Sequence, residues 1–124
     1  MPEEKITLDT LYIVDSSDNN ITLEVNIGDE GQTSDMSIRL EDTFIVENLS
    51  GDLEETLLGT NEQLNGKKLT IVATIADTSR TTNFTSLTIH LKGGFISNDF
   101  ALSKTVNEEG ASADYLCLIE FFKP

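Results

Sequence analysis

Apolar residues occupy every second position over long stretches of this sequence, and this spacing constrains the fold more than any other feature. A period of two is the pattern of a β-strand with one buried face. Residues 21–27 and 87–91 show it most clearly, with Ile, Leu and Val alternating with polar residues. Many short strands separated by polar turns are typical of two packed antiparallel sheets. We therefore predict an all-β fold in which residues 1–124 form one antiparallel β-sandwich domain with immunoglobulin-like or Greek-key connections.

The alternation and the turn residues between the alternating segments set the strand limits. We predict about eight strands, over residues 5–14, 21–27, 35–40, 43–48, 67–76, 84–92, 94–102 and 113–122. Asn, Asp and Gly tolerate positive φ, so the polar runs 16–20 and 28–31 predict hairpin turns. Gly93-Gly94 predicts a tight reversal between two strands, and residues 107–110 predict a polar loop.

One segment departs from the strand periodicity. Residues 52–55 have the spacing of a helix capping box, and Leu53 and Leu57 lie one helical turn apart. Gly59 follows at the position of a C-terminal cap. The sequence therefore predicts a short helix over residues 52–58 that closes one end of the sandwich.

The net charge of −14 lies entirely in the first half of the chain. Residues 1–62 contain sixteen carboxylates and two basic residues, whereas residues 63–124 contain six of each. Affinity for nucleic acid comes largely from Lys and Arg, and a pI near 4.1 therefore disfavours nucleic acid and anionic membranes as partners. The acids alternate with apolar residues, which predicts one acidic face on a folded domain rather than a disordered tail.

Two predicted strands are apolar on both faces, although a sandwich strand needs only one apolar face. In residues 113–122 and 5–14, one set of apolar side chains fits the core and a second set points the other way. The second set has to be covered by the helix, by a loop or by another subunit. The predicted contact residues are Leu11, Ile13, Leu116, Leu118 and Phe122.

No arrangement of residues predicts catalysis. Nucleophilic catalysis needs a base beside the nucleophile, and the only histidine, His90, lies on the polar face of a predicted strand. The only cysteine, Cys117, lies on the apolar side of another strand, where a thiol is unreactive. One His and one Cys cannot supply a zinc site, and no glycine-rich phosphate loop is present. We therefore predict that the protein is not an enzyme and has no resident cofactor.

Calcium is the one ion that the sequence could hold. Ca²⁺ binds six to eight oxygen atoms, and two early loops are dense in acids and Asn. Neither loop has the spacing of an EF-hand, and Asp and Asn are also ordinary turn residues. The candidate metal ligands are Asp15, Asp18, Asp29, Glu30 and Asp35.

These observations lead to a non-enzymatic β-sandwich module that acts in binding or assembly, through its acidic face, its apolar strand face or both. The alternative is a Ca²⁺-dependent ligand-binding domain that uses the acidic loops of the first half. A hydrolase comes third, because the sequence offers no nucleophile with a neighbouring base. We expect a protein partner or self-association, and neither nucleic acid nor membrane. No signal-peptide pattern is visible at the N-terminus, so a cytoplasmic location is expected.

Overall fold

The computed structural model describes residues 4–28, 32–77, 84–105 and 112–124. Within these ranges the chain is nearly all strand, and the prediction of an all-β sandwich with one short helix is confirmed. The elements are β1 (Glu4–Ile13), β2 (Asn20–Ile27), β3 (Gln32–Leu40), β4 (Thr43–Leu49), β5 (Leu53–Thr60), α1 (Asn61–Leu64), β6 (Lys68–Asp77), β7 (Phe84–Lys92), β8 (Asn98–Thr105) and β9 (Ser112–Phe122).

The strands form two sheets. One has five strands in the order β1-β9-β6-β3-β4, and the other has four in the order β5-β2-β7-β8. Every described pair is antiparallel except β1 with β9, which is parallel. Only β3–β4 and β7–β8 are consecutive strands in the same sheet, so the chain changes sheet at each of the other connections.

Two predicted hairpin turns are wrong for this reason. The polar run 16–20 leads from β1 in the five-stranded sheet to β2 in the four-stranded sheet. The chain then returns to the five-stranded sheet between β2 and β3, where residues 29–31 lie outside the described residues. The predicted polar loop at 107–110 also lies outside the described residues.

The predicted helix over 52–58 is wrong, because this segment is most of edge strand β5. Its pairing with β2 has two register shifts, which break the alternation and produce the helix-like spacing of leucines. The carboxylate of Asp52 caps no helix and instead accepts the backbone N–H of Ile27 at 2.7 Å. The helix begins eight residues later than the predicted cap, at a capping box formed by Thr60 and Gln63, whose side chains each accept the other's backbone N–H.

The eighth strand starts later than predicted, because Gly93 and Gly94 do not form a two-residue reversal. Residues 93–97 make a loop instead, and β8 begins at Asn98. The backbone N–H of Gly94 donates to the hydroxyl of Tyr12 at 3.0 Å. The next N–H, of Phe95, donates to the carbonyl of Ile13 at 3.0 Å. The loop is therefore held against the end of β1.

Alternation places the core between the two sheets. The inward residues of β9 are Ala113, Tyr115, Cys117, Ile119 and Phe121, and all five are buried. They face the buried Ile and Leu residues of β2 and β7 in the other sheet.

One buried polar contact links the two sheets. The hydroxyl of Thr85 on β7 donates to the carbonyl of Lys104 at 2.7 Å and lies 2.6 Å from the hydroxyl of Tyr115 on β9. Because the single proton of Thr85 is already used, Tyr115 is the donor in the second bond. This bond satisfies two buried hydroxyl groups at once.

Candidate binding surface

The outer face of the five-stranded sheet carries apolar side chains on three neighbouring strands, interspersed with polar and charged residues of the same face. On β9 the residues between the buried ones also include leucines, and in the register their neighbours on β6 and β1 extend the set. Leu11 and Val72 are each 48% exposed and Phe122 is 42% exposed, while Leu116 and Leu118 are half-buried. We call these five residues the apolar band: Leu11, Val72, Leu116, Leu118 and Phe122.

The predicted contact residues therefore lie on one face, as their spacing suggested. Four of the five belong to the apolar band, and Ile13 lies at its end, in the same register row as Phe122. Val72 on the neighbouring strand β6 and the half-exposed Phe44 on edge strand β4 were not among the predicted contact residues. The signal for Val72 was present, since it interrupts the polar positions of an otherwise alternating strand.

The apolar surface continues around the end of the sheet. Ile13 and Val14 line a cleft of about 250 Å³ together with Phe95 and the C-terminal residues Lys123 and Pro124. Phe95 is 70% exposed, although its backbone is held by the bond to Ile13. A large apolar side chain displayed on a fixed loop is typical of a contact surface.

The outer face of the five-stranded sheet also carries charges of both signs. Lys5 lies beside Asp114, and Lys68 lies beside Glu120 in the register. Over the four strands β1, β9, β6 and β3, this face carries three basic residues, Lys5, Arg39 and Lys68, and four acidic ones, Asp9, Asp35, Asp114 and Glu120. It is therefore close to neutral, although the whole chain has a charge of −14.

The acidic residues concentrate on a different side of the molecule. β4 and β5 are the edge strands on one side of the sandwich, and β1 and β8 lie close together on the opposite side. Residues 40–66 contain no Lys or Arg and carry seven exposed acids. These are Glu41, Asp42, Glu47, Asp52, Glu54, Glu55 and Glu62. This side of the sandwich is therefore acidic, because its segment contains no Lys or Arg to offset the carboxylates.

The predicted calcium ligands are not gathered in the described part of the chain. Asp15 and Asp18 lie in the loop before β2, whereas Asp35 lies on β3 beside Thr74. Hydrogen bonds from Ser17, first from its side chain and then from its backbone N–H, lower the pKa of the Asp15 carboxyl. Asp29 and Glu30 lie outside the described residues. No group of three or more His, Cys, Asp or Glu in the described ranges has the geometry of a metal site.

His90 lies in a chain of polar side chains across the outer face of the four-stranded sheet. Its Nδ1 is 2.7 Å from Asp99 Oδ1, and its Nε2 is 2.8 Å from Asn26 Oδ1. The amide of Asn26 in turn donates to Glu24 Oε2 at 3.4 Å. Both ring nitrogens thus face side-chain oxygens on the neighbouring strands. A histidine held in this way connects β2, β7 and β8 and activates no hydroxyl in the described structure.

Cys117 is fully buried in the core. Burial raises the pKa of its thiol from 9.0 to about 12, because the charged thiolate has no access to water. Only the thiolate is a good nucleophile, so this group is inert in the folded protein at neutral pH.

The buried thiol leads to a prediction about alkaline pH. The folded-state pKa is raised, so the stabilisation is complete below pH 9 and is lost as the pH rises from 9 towards about 12. We expect the free energy of unfolding to fall with pH above 9, by up to about 1.4 kcal/mol per pH unit from this one group. The two buried tyrosines, Tyr12 and Tyr115, have pKa values raised by burial and add to the loss only above pH 10.

Urea denaturation of wild type and Cys117→Ala at half-unit steps between pH 8 and 10 measures this effect. The variant is expected to have a flatter dependence on pH, whatever its absolute stability. Equal slopes for the two proteins would show that the thiol is not responsible.

No family model matches the chain, and no curated protein or solved structure is significantly similar to it. Among the described residues, no helix has the length and hydropathy needed to cross a membrane. The class of protein is therefore defined by fold and surface alone. It is a two-sheet β-sandwich whose five-stranded sheet has an apolar, nearly neutral outer face, with an acidic side along its β4 and β5 edges.

Proposed function

We propose that this protein is a non-catalytic β-sandwich module that self-assembles through the outer face of its five-stranded sheet. The observation that carries the proposal is the apolar band on that face. Monomeric proteins rarely expose contiguous apolar patches unless the patch has a binding role. Two sheets that pack face to face bury such side chains at a separation of about 10 Å.

Charge supports a second copy of the chain as the occupant of this face. Two molecules with a charge of −14 repel each other, so contact is favoured where the local charge is smallest. Over β1, β9, β6 and β3, the outer face of the five-stranded sheet carries three basic and four acidic residues, and both signs are available for pairing. The acidic side along β4 and β5 then faces solvent and limits association to the one face.

The proposal predicts that Leu118→Glu weakens the assembly. Leu118 lies on β9 near the centre of the apolar band. A carboxylate there would replace an apolar contact with a charged group that has to be desolvated, and it would add a second negative charge beside Asp9. We expect the wild-type protein to form a dimer or larger species and the variant to dissociate at least about a hundredfold more readily. Light scattering after size exclusion, over a range of concentrations, measures both.

Leu57→Glu is the matched control, because Leu57 is 60% exposed on β5 in the other sheet. It makes the same substitution and should leave the assembly unchanged. Leu11→Glu is a second test residue in the apolar band and is more exposed than Leu118, so it carries less risk to folding. A wild-type protein that stays strictly monomeric at high concentration would overturn the proposal, as would a mass unaffected by either band substitution.

A further inference from the structure

Strand β1 is an edge strand with an uninterrupted backbone. It pairs with β9 over ten consecutive residues without a register shift. In the part of the chain that the structure describes, no strand pairs with β1 on its other side. An exposed regular edge is a template for pairing with another strand, and folded proteins usually interrupt such edges. Two of the four edges here, β4 and β5, are interrupted by register shifts, whereas β1 and β8 are not.

The sequence of the first half of β1 is complementary to itself in the antiparallel direction. Lys5, Thr7 and Asp9 are exposed on the outer face, and Ile6 and Leu8 point towards the core. A two-fold axis perpendicular to the sheet and centred on Thr7 would place Lys5 of each copy opposite Asp9 of the other. The same register would pair Ile6 with Leu8 and keep the outer and inner faces of the two sheets aligned.

The other regular edge does not have this property. On β8, Asp99 is opposite His90 on the outer face, whereas Lys104 is opposite the buried Thr85 and lies on the inner face. In an antiparallel pair around a two-fold axis, outer residues meet only outer residues. Asp99 and Lys104 can therefore never face each other across two copies of β8. Of the two edge strands without register shifts, only β1 therefore has charges that are complementary between two copies.

The far end of β1 is already occupied by the protein's own chain. The carbonyl of Ile13 accepts the N–H of Phe95 from the loop after β7. The rest of the edge has no paired strand in the described part of the chain, although β8 of the facing sheet lies close to β1. The complementary residues lie in the first half of this edge.

From these observations we infer that the segment Lys5–Asp9 pairs antiparallel with the same segment of a second copy, so that the two five-stranded sheets become one continuous ten-stranded sheet. This contact is separate from the face contact of the proposed function. Its two-fold axis is perpendicular to the sheet, whereas an axis that stacks two sheets face to face lies parallel to it. The two contacts are therefore compatible in one closed assembly. The edge contact would also join two apolar bands into one larger surface.

A charge exchange at the edge tests this inference. The Val72→Glu protein provides the background. Val72 belongs to the apolar band but lies on β6, two strands away from β1, so the substitution weakens the face contact without placing a charge beside Asp9. We expect this protein to form a weak dimer at concentrations up to about 1 mM. Lys5→Glu should weaken that dimer about tenfold, since it places like charges opposite each other twice. Asp9→Lys should do the same from the other side of the pair.

The double variant Lys5→Glu with Asp9→Lys restores opposite charges in reversed order. It should return the dissociation constant to within about threefold of the background protein. Sedimentation equilibrium gives the constants, and circular dichroism confirms that each variant is folded. Amide chemical shifts should change with concentration at residues 5–9 and not on β8.

A background protein that is monomeric throughout the concentration range overturns the inference, as does a double variant as weak as the two single ones. If Val72→Glu does not fold, Leu11→Glu serves as the background. Failure of the proposed function would be a different result. In that case the mass of the assembly would be the same for the wild-type protein and for the apolar-band variants.

Discussion

Gly93→Ala is expected to lower the free energy of unfolding by about 3–5 kcal/mol, which combines backbone strain with overpacking. Gly93 has a φ of +100°, a conformation that residues with a side chain rarely adopt. A Cβ at this position would overlap the backbone carbonyl of Asn20. That carbonyl belongs to the start of β2 and cannot move aside without breaking the sheet. The loss of stability should be visible as a large fall in the midpoint of urea denaturation.

Gly66→Ala separates the two causes of this loss. Gly66 has a φ of +85°, but a Cβ there would have no atom within 4 Å. It should therefore cost only the backbone strain, about 1–2 kcal/mol. Equal losses for the two variants would mean that the close approach of Gly93 to β2 does not contribute. The comparison matters for the contact surface, because Gly93 begins the loop that displays Phe95.

The strands could be predicted from the sequence because most of them bury one face. Alternating residues such as those of 21–27 have only one register that hides the apolar side chains from water. Edge strand β5 was missed for the converse reason. Its register shifts against β2 leave Leu57 exposed and Leu53 buried, so the apolar spacing imitates a helix.

The position of the helix shows that tertiary contacts determine which of two similar capping motifs begins a helix. Residues 52–55 and 60–63 both have the spacing of a capping box. Asp52 has a backbone partner in Ile27, on a strand remote in sequence, and its own segment is extended. Only the second motif is followed by a helical turn, and Leu64 in that turn is buried. Nothing in a window of ten residues distinguishes the two.

The sheet order could not be predicted, because alternation gives the face of a strand and not its neighbour. The parallel pairing of β1 with β9 joins residues more than one hundred positions apart. This pairing creates the apolar band, since it places Leu11 on the same outer face as Leu116 and Leu118. The two strands that are apolar on both faces indicated which side chains have to be covered. Only the sheet order shows that these side chains lie on one surface.

A single buried side chain, Asn61, joins two loops to the start of α1 at one end of the sandwich. It is fully buried at the start of α1. Its Oδ1 accepts the backbone N–H of Asp15 at 3.1 Å. Its Nδ2 donates to the carbonyls of Asn19 and Gly93 at 3.0 and 2.8 Å. No sequence pattern indicates this role, because a lone Asn beside a predicted turn is ordinary.

Asn61→Ala is accordingly expected to lower the free energy of unfolding by about 2–4 kcal/mol, because the partly buried N–H of Asp15 and carbonyl of Gly93, on two loops, lose their partner. The carbonyl of Asn19 keeps its bond from the backbone N–H of residue 61. Asn65→Ala is the matched control. Asn65 is exposed and its Oδ1 accepts one bond, from the N–H of Lys123 at 3.1 Å, so its loss should be about 0.5–1 kcal/mol.

Native-state hydrogen exchange distinguishes a local from a global effect of Asn61→Ala. The amide of Asp15 donates only to this side chain among the described contacts, so it should lose protection beyond the global change. The amide of Gly94, bonded to Tyr12, should lose protection to a smaller degree. If Asn61→Ala and Asn65→Ala destabilise the protein equally, the loops are held by their backbone bonds alone. In that case the fixed display of Phe95 would depend on the contact of its own N–H with Ile13.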